Sequence, residues 1–173
     1  MAEALTQVRE DLATLIQRIS RALTAERAWS AGDVAELRRM DPRAPPAAFF
    51  KLAAVYLGPE LPTLEPARSS AETRWAAIVL ALATLGELHQ GNARLGYALG
   101  RAQFSELRFS RLIRADADRL LDDVPAVARY LSAKGVSVDA ADLARLLLSA
   151  GRADEEPTRR HIARDYYAAT ASA

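Results

Sequence analysis

The sequence predicts an all-α protein, a compact helical bundle of about eight to nine helices. Half of the 173 residues are hydrophobic but only 6% are aromatic, and alanine and leucine, which favour helices over strands, dominate the apolar part. Apolar residues also recur at steps of three and four, the period of a helix with one buried face. We therefore expect a single helical domain over residues 1–173, or two packed lobes, residues 1–64 with a core helix 69–90, and residues 91–173.

The N-terminal part contains three predicted helices, which glycine and proline separate. The first is a long amphipathic helix that runs to about Ala28. A shorter helix opens at Gly32 and Asp33 and ends before a proline-rich loop. A third helix spans about residues 47–57 and precedes a second proline-rich connector, residues 59–66. The apolar face of the first helix comprises Leu5, Val8, Leu12, Leu15, Ile16, Ile19 and Leu23.

The central part of the chain contains the most hydrophobic predicted helix. From Trp75 to Leu88 the sequence is apolar on almost every side of a helix, which predicts a centrally buried core helix. Ser69 and Glu72 have the spacing of a capping box, and this pattern predicts that the helix opens there.

The C-terminal half predicts a further series of helices. The segments GNARLGYALGRA and SELRFSRLIRADADRLL have the pattern of consecutive helices, with Ser105 as the N-cap at their junction. Helices are also expected at about residues 124–134 and 139–150, each closed by a glycine, and from Pro157 toward the C-terminus.

The composition leaves few enzyme chemistries open. The chain has no cysteine, which excludes a disulfide framework, a thiol nucleophile and cysteine-ligated zinc or iron–sulfur sites. His89 and His161 are the only histidines, and we expect each to be structural or solvent-facing. Gly96 and Gly100 lack the spacing of phosphate-binding loops, and close helix packing is their expected role. We therefore predict no catalytic site and no cofactor.

Four aspartates lie close together in the sequence between residues 116 and 123. Asp116, Asp118, Asp122 and Asp123 lack the glycine and the terminal glutamate of a calcium loop. Arg119 lies within helical pairing distance of three of them. Solvated ion pairs are therefore expected here, rather than a metal site.

The sequence predicts no membrane-spanning segment. Charged residues such as Glu3 and Arg9 interrupt the N-terminal apolar pattern, and no later segment reaches the ~20 apolar residues that a membrane span needs. We expect a cytoplasmic protein.

Any nucleic-acid role must come from local clusters of charge, because the net charge is only +1. Of the 23 basic residues, only Lys51 and Lys134 are lysines. Guanidinium groups suit bidentate contacts with phosphate. A genome biased toward alanine and arginine explains the same composition equally well.

The segment after Ser105 predicts a helix with two opposed faces. Its apolar residues cluster on one side, and its arginines lie roughly opposite at steps of three. An arginine face is usually only a solvated surface, so the presence or absence of acidic neighbours decides its interpretation. The apolar side comprises Phe109, Leu112 and Ile113, and the basic side comprises Arg108, Arg111 and Arg114.

Most arginines of this region lack a local acidic partner. Arg101, Arg108 and Arg111 have no acidic residue three or four positions away, whereas Arg114 can pair with Asp118. Unpaired guanidinium groups favour sequence-independent contacts with phosphate, and a solvated surface is the alternative.

Arg38 and Arg39 form a second candidate pair. The apolar residues of their predicted helix leave Arg39 pointing away from the core and Arg38 at its flank. Glu36 and Asp41 lie within pairing reach, so a surface ion pair is the alternative.

The C-terminal helix offers weaker candidates. Arg159 and Arg160 each follow a glutamate by four residues, which favours ion pairing within the helix. Tyr166 is expected in the core and Tyr167 at its edge, although tyrosines also offer stacking surfaces for bases.

GYALGRA followed by SELRFSRLIRAD resembles the central signature of the CasB family, the small subunit of the type I-E CRISPR surveillance complex, Cascade. Further segments resemble the family and occur in the same order: LRRM and PPAAFFKL before the central signature, and DLARLLL and RRHIARDYY after it. The resemblance covers most of the chain. It implies an all-helical, non-catalytic subunit that occurs in two copies beside the backbone subunits and the large subunit.

The resemblance also implies partners and site residues. The partners are the large and backbone subunits, a second copy of the chain, the crRNA-bound complex, and the target and non-target DNA strands, with no membrane. In the family, basic residues support these strands while base pairing with the guide RNA supplies specificity. A helical adaptor whose arginines contact acidic partner subunits is the alternative. The implied nucleic-acid-binding residues are Arg38, Arg39, Arg101, Arg108, Arg111 and Arg114.

Overall fold

The computed structural model describes residues 11–25 and 28–172, and this part of the chain contains nine α-helices and no β-strand. The predicted all-α class is therefore confirmed. None of the described helices is both long and apolar enough to cross a membrane. The helices are α1 (Leu12–Thr24), α2 (Ala31–Leu37), α3 (Ala47–Tyr56), α4 (Ala67–Leu85), α5 (Leu95–Arg101), α6 (Glu106–Arg114), α7 (Ala117–Lys134), α8 (Ala140–Ser149) and α9 (Glu155–Ala171).

Two N-terminal helices end earlier than predicted. α1 ends at Thr24, before the expected end near Ala28, while the predicted apolar positions Leu5 and Val8 fall outside the described residues. α2 ends at Leu37, where the chain turns into the proline-rich loop. The following pair of arginines therefore lies at and beyond the C-terminus of α2 rather than within a helix.

The predicted capping box at the start of α4 is wrong. α4 already begins at Ala67, so Ser69 lies inside the helix. The Ser69 hydroxyl donates to Glu65 Oε2 at 2.6 Å, and Glu72 pairs with Arg68 at 3.0 Å. The hydrogen-bond partner of Ser69 is therefore Glu65, which precedes the helix, and not Glu72, which lies within it.

α4 is the central helix of the fold. Its residues from Trp75 to Ala83 are all buried, which confirms the predicted core helix. α4 packs most extensively on α7 and also contacts α1, α2 and α8. The helix ends at Leu85 rather than near the predicted residue 90, because Gly86 adopts a positive φ of 54°, a conformation that favours glycine.

The helix break in the C-terminal half lies earlier than predicted. Asp116 caps α7, since its Oδ1 accepts the backbone N–H of Arg119 at 2.8 Å. α7 then continues past Val124 and Pro125 to its end, so the separate helix expected from about Val124 is wrong. Pro125 is buried, and we attribute the continuity of the helix to its packing on α4 despite the missing proline N–H.

α5 and α9 form the second closely packed pair of helices. A Cβ atom on Gly96 would lie 2.6 Å from Asp165 Cβ and 2.7 Å from the backbone nitrogen of Tyr166. A Cβ atom on Gly100 would lie 2.6 Å from Ala169 Cβ. The predicted role of these glycines in close helix packing is confirmed.

Candidate nucleic-acid interface

α6 carries the two opposed faces that its sequence predicts. Phe109 and Leu112 are buried and Ile113 is half-buried against the core. Phe109 stacks on Tyr166 of α9 with a centroid separation of 3.8 Å. Tyr166 is buried and Tyr167 is exposed, as expected. The exposed side carries Arg108, Arg111 and Arg114.

The turn between α5 and α6 is tied to two other helices by tyrosine hydroxyl groups. Tyr166 donates to the carbonyl oxygen of Phe104 at 2.6 Å. Tyr130 of α7 donates to the carbonyl oxygen of Ala102 at 2.8 Å, and its ring meets Phe104 edge-on at 5.1 Å. These contacts fix the C-terminus of α5 and the N-terminus of α6 relative to α7 and α9.

Arg108 is held by aromatic rings rather than by a carboxylate. Its Cζ lies 5.0 Å from the Phe104 ring centroid and 5.2 Å from that of Tyr130. Lys134 Nζ lies 5.8 Å from the same Tyr130 ring. A cation–π contact of this kind orients a guanidinium and contributes about 0.5–1 kcal/mol at an exposed site. Only the contact between Arg108 and Tyr130 joins two helices, so the local spacing of the sequence did not indicate it.

Arg101, Arg111 and Arg114 are exposed, and none forms an ion pair or hydrogen bond through its side chain with another described residue. The predicted pairing of Arg114 with Asp118 is wrong. Arg114 ends α6 and Asp118 lies in α7, so the regular spacing of one helix does not bring the two side chains together. Arg114 therefore lacks an acidic partner among the described residues, as Arg101 and Arg111 do.

Of the predicted partners of Arg119, all of them within the described residues, only Asp123 forms an ion pair with it. Arg119 Nε donates to both carboxylate oxygens of Asp123 at 3.1 and 3.2 Å. Asp122 pairs instead with Arg43 at 2.8 Å, and hydrogen bonding from this arginine lowers the pKa of the Asp122 carboxyl below its usual value.

α6 and α7 enclose two adjoining depressions, which we call the α6–α7 groove. The first has a volume of about 180 Å³. Arg111 and Arg119 line both depressions and thus stand where the two meet. The full lining comprises Phe104, Leu107, Arg108, Ser110, Arg111, Leu112, Arg114, Arg119, Asp123, Ala126 and Val127.

Arg38 and Arg39 are exposed but do not line this groove. Arg38 Nε donates to the carbonyl oxygen of Ala83 in α4 at 2.7 Å. Arg39 Nε donates to the carbonyl oxygen of Ala35 at 3.2 Å. Among the described residues neither arginine forms the ion pair that its acidic neighbours offered. Arg38 thus also ties the end of α2 to the core helix, which the sequence did not indicate.

The C-terminal arginines are neutralised as expected. Arg159 pairs with Glu155 at 2.6 Å and also donates to the carbonyl oxygen of Ala115. Arg160 pairs with Glu156 at 2.8 Å. Both charges are therefore paired within α9.

His89 is a buried structural residue, as predicted. Its Nδ1 accepts the backbone N–H of Ala140 at 3.1 Å, and its Nε2 lies 3.1 Å from Gln17 Oε1. Burial lowers the pKa of His89 below its usual value, although the nearby Asp139 acts in the opposite direction. The neutral ring satisfies both contacts. His161 is exposed.

A family model described as CRISPR-associated protein Cse2 matches residues 33–167. The chain belongs to this family. Cse2 proteins, also called CasB, are small, non-catalytic subunits of the type I-E Cascade complex. The match includes every sequence-predicted arginine and the whole α6–α7 groove of this Cse2 chain. No curated protein and no solved structure matched the chain.

Proposed function

We propose that this Cse2 chain holds DNA strands of the R-loop through a basic surface formed by Arg101, Arg108, Arg111 and Arg114. One observation carries the proposal: the four guanidinium groups are exposed on the consecutive helices α5 and α6, and no carboxylate of the described chain pairs with them. A surface of this kind attracts a polyanion even though the whole chain is nearly neutral.

The chemistry of the four side chains suits a phosphate backbone. Guanidinium groups donate two parallel hydrogen bonds to phosphate oxygens, and these contacts carry no sequence information. Sequence specificity is then left to base pairing with the guide RNA. The aromatic contacts of Arg108 add preorganisation, because an oriented side chain loses less entropy on binding.

Arg38 and Arg39 form a secondary part of the proposal. Arg38 uses its Nε for the Ala83 carbonyl oxygen, which leaves its terminal nitrogens for phosphate. In the proposal, this pair contacts a stretch of backbone separate from the one that the α6 arginines hold.

The proposal assigns the chain no catalytic residue and no cofactor. Its partners are the large subunit, the backbone subunits, a second copy of the chain and the crRNA-bound complex with target and non-target DNA. The complex acts in the cytoplasm in antiviral defence.

A protein-interaction adaptor is the second candidate function. Leu107 is 63% exposed and Tyr97 is 41% exposed, on the same two helices as the arginines. Exposed apolar side chains ringed by polar groups are typical of protein interfaces. In this alternative the arginines contact acidic surfaces of partner subunits.

Reconstituted Cascade carrying Arg101→Ala and Arg108→Ala separates the two functions. Target-DNA affinity and R-loop lifetime are measured at fixed salt, and subunit stoichiometry is measured in parallel. We expect full stoichiometry and a loss of affinity of about tenfold or more, since two charge-assisted contacts are removed. Arg68→Ala with Arg160→Ala is the control, because both arginines are exposed and ion-paired within their own helices.

Two outcomes count against DNA holding. Full assembly with unchanged affinity contradicts it directly. Loss of the subunit from the complex supports the adaptor function instead.

A further inference from the structure

Arg119 belongs to α7, yet it faces the arginines of α6 across the α6–α7 groove. It lines both depressions together with Arg111, and its side chain is 67% exposed. Only its Nε contacts Asp123, at 3.1 and 3.2 Å. The N–H groups of the two terminal nitrogens of Arg119 therefore remain available to donate hydrogen bonds while Nε contacts the carboxylate.

The lining of the groove combines charge with apolar surface. Arg108, Arg111, Arg114 and Arg119 contribute four guanidinium groups, and Asp123 contributes the one carboxylate. Apolar side chains of both helices complete the lining. A phosphodiester matches this arrangement, because its anionic oxygens meet guanidinium groups while its sugar carbons contact apolar side chains.

We propose that the α6–α7 groove binds a phosphodiester of the nucleic-acid backbone, that Arg119 contacts it together with Arg111, and that Asp123 limits the affinity. This inference rests on the proposed function. It adds a contact residue from a second helix and an acidic residue that weakens the same site.

Asp123 acts through its charge. Its side chain is only 21% exposed, so its charge is partly shielded from solvent and lies beside the phosphate position. Asparagine at this position keeps an oxygen that accepts the Arg119 Nε–H, and it removes only the negative charge. Asp123→Asn therefore separates an electrostatic role from a positioning role.

The experiment measures target-DNA affinity of reconstituted Cascade, with its full-length subunits, over a range of salt concentrations. Asp123→Asn should tighten binding by about two- to fivefold, the range of an exposed charge pair. Arg119→Ala should weaken binding by about tenfold and reduce the salt slope by about 1. In the double variant, the effect of Asp123→Asn should persist, because without Arg119 the Asp123 charge faces the phosphate without the cation that partly neutralises it.

Two controls match these substitutions in chemistry. Asp122→Asn removes the neighbouring carboxylate, which pairs with Arg43 and does not line the groove. Arg68→Ala removes an arginine whose Nε holds a carboxylate one helical turn away at 3.0 Å, as in Arg119. Both controls should leave affinity and salt slope unchanged.

The outcomes distinguish this inference from the proposed function. If Arg119→Ala leaves binding unchanged while Arg108→Ala weakens it, the groove is not a phosphodiester site. The proposed function is then still supported. Unchanged binding in both overturns both. Weaker binding in Asp123→Asn contradicts the limiting role of the carboxylate. Loss of the subunit in Arg119→Ala, with wild-type thermal stability of the isolated chain, makes the groove a protein interface and overturns its role as a phosphate site.

Discussion

Replacing Gly96 with alanine should force α5 away from α9. The new Cβ would lie 2.6 Å from Asp165 Cβ and 2.7 Å from the backbone nitrogen of Tyr166. A backbone atom cannot rotate aside as the end of a flexible side chain can, so the two helices must move apart. The C-terminus of α5, which carries Arg101, moves with them.

The magnitude follows from two opposing effects. Overpacking of a close contact costs about 1–3 kcal/mol, and the backbone contact at Gly96 places the substitution at or above the upper end of this range. The higher helix propensity of alanine returns about 1 kcal/mol. The net loss is about 2 kcal/mol, which lowers the Tm of a chain of this size by about 4–8 °C.

The assay is thermal unfolding of the isolated chain, followed by far-UV circular dichroism. Gly91→Ala is the control, because no atom lies within 4 Å of its added Cβ, and it should change stability by less than about 0.5 kcal/mol. Gly100→Ala should fall between the two, since its closest contact is the Cβ of Ala169. A Gly96→Ala chain as stable as the wild type would refute the packing argument.

Three further predictions concern stability. Burial holds the pKa of His89 in the folded chain below its ordinary value, so its contribution to stability is complete above the ordinary pKa and is lost as the pH falls. His89→Gln should flatten the pH dependence of the urea midpoint between about pH 5 and 7, and an unchanged slope contradicts this. Tyr166→Phe leaves the Phe104 carbonyl oxygen without its donor, so urea unfolding should show a loss of about 1–3 kcal/mol; Tyr167→Phe, which removes an exposed hydroxyl, should lose much less. Because α4 contacts α1, α2, α7 and α8, tryptophan fluorescence and circular dichroism should report one coincident transition, whereas two transitions would support separate lobes.

Features that depend on burial within one element were predictable. The continuous apolar stretch from Trp75 predicted the core helix, since a helix without a polar side must be buried. The glycines at 96 and 100 predicted close packing because one helical turn separates them, which places both on one face. The two faces of α6 followed from the same periodicity. None of these inferences required knowledge of which helix is the partner.

Features that depend on contacts between distant elements were not predictable. Arg38 donates to a carbonyl 45 residues away, and Arg43 pairs with a carboxylate 79 residues away. Sequence spacing shows only partners three or four positions apart on one helix. That rule wrongly paired Arg114 with Asp118 across a helix break, and its correct pairing of Arg119 with Asp123 gave no sign that Arg119 faces α6.

Site-specific photocrosslinking of Cascade on its target DNA tests the central claim most directly. A benzophenone amino acid replaces Leu107, which lines the α6–α7 groove and is 63% exposed, or Val55, which lies on α3 and is 66% exposed. The account predicts a crosslink to DNA from position 107 and none from position 55. A position-107 crosslink to a protein subunit alone, in complexes that retain full stoichiometry and bind target, would contradict it.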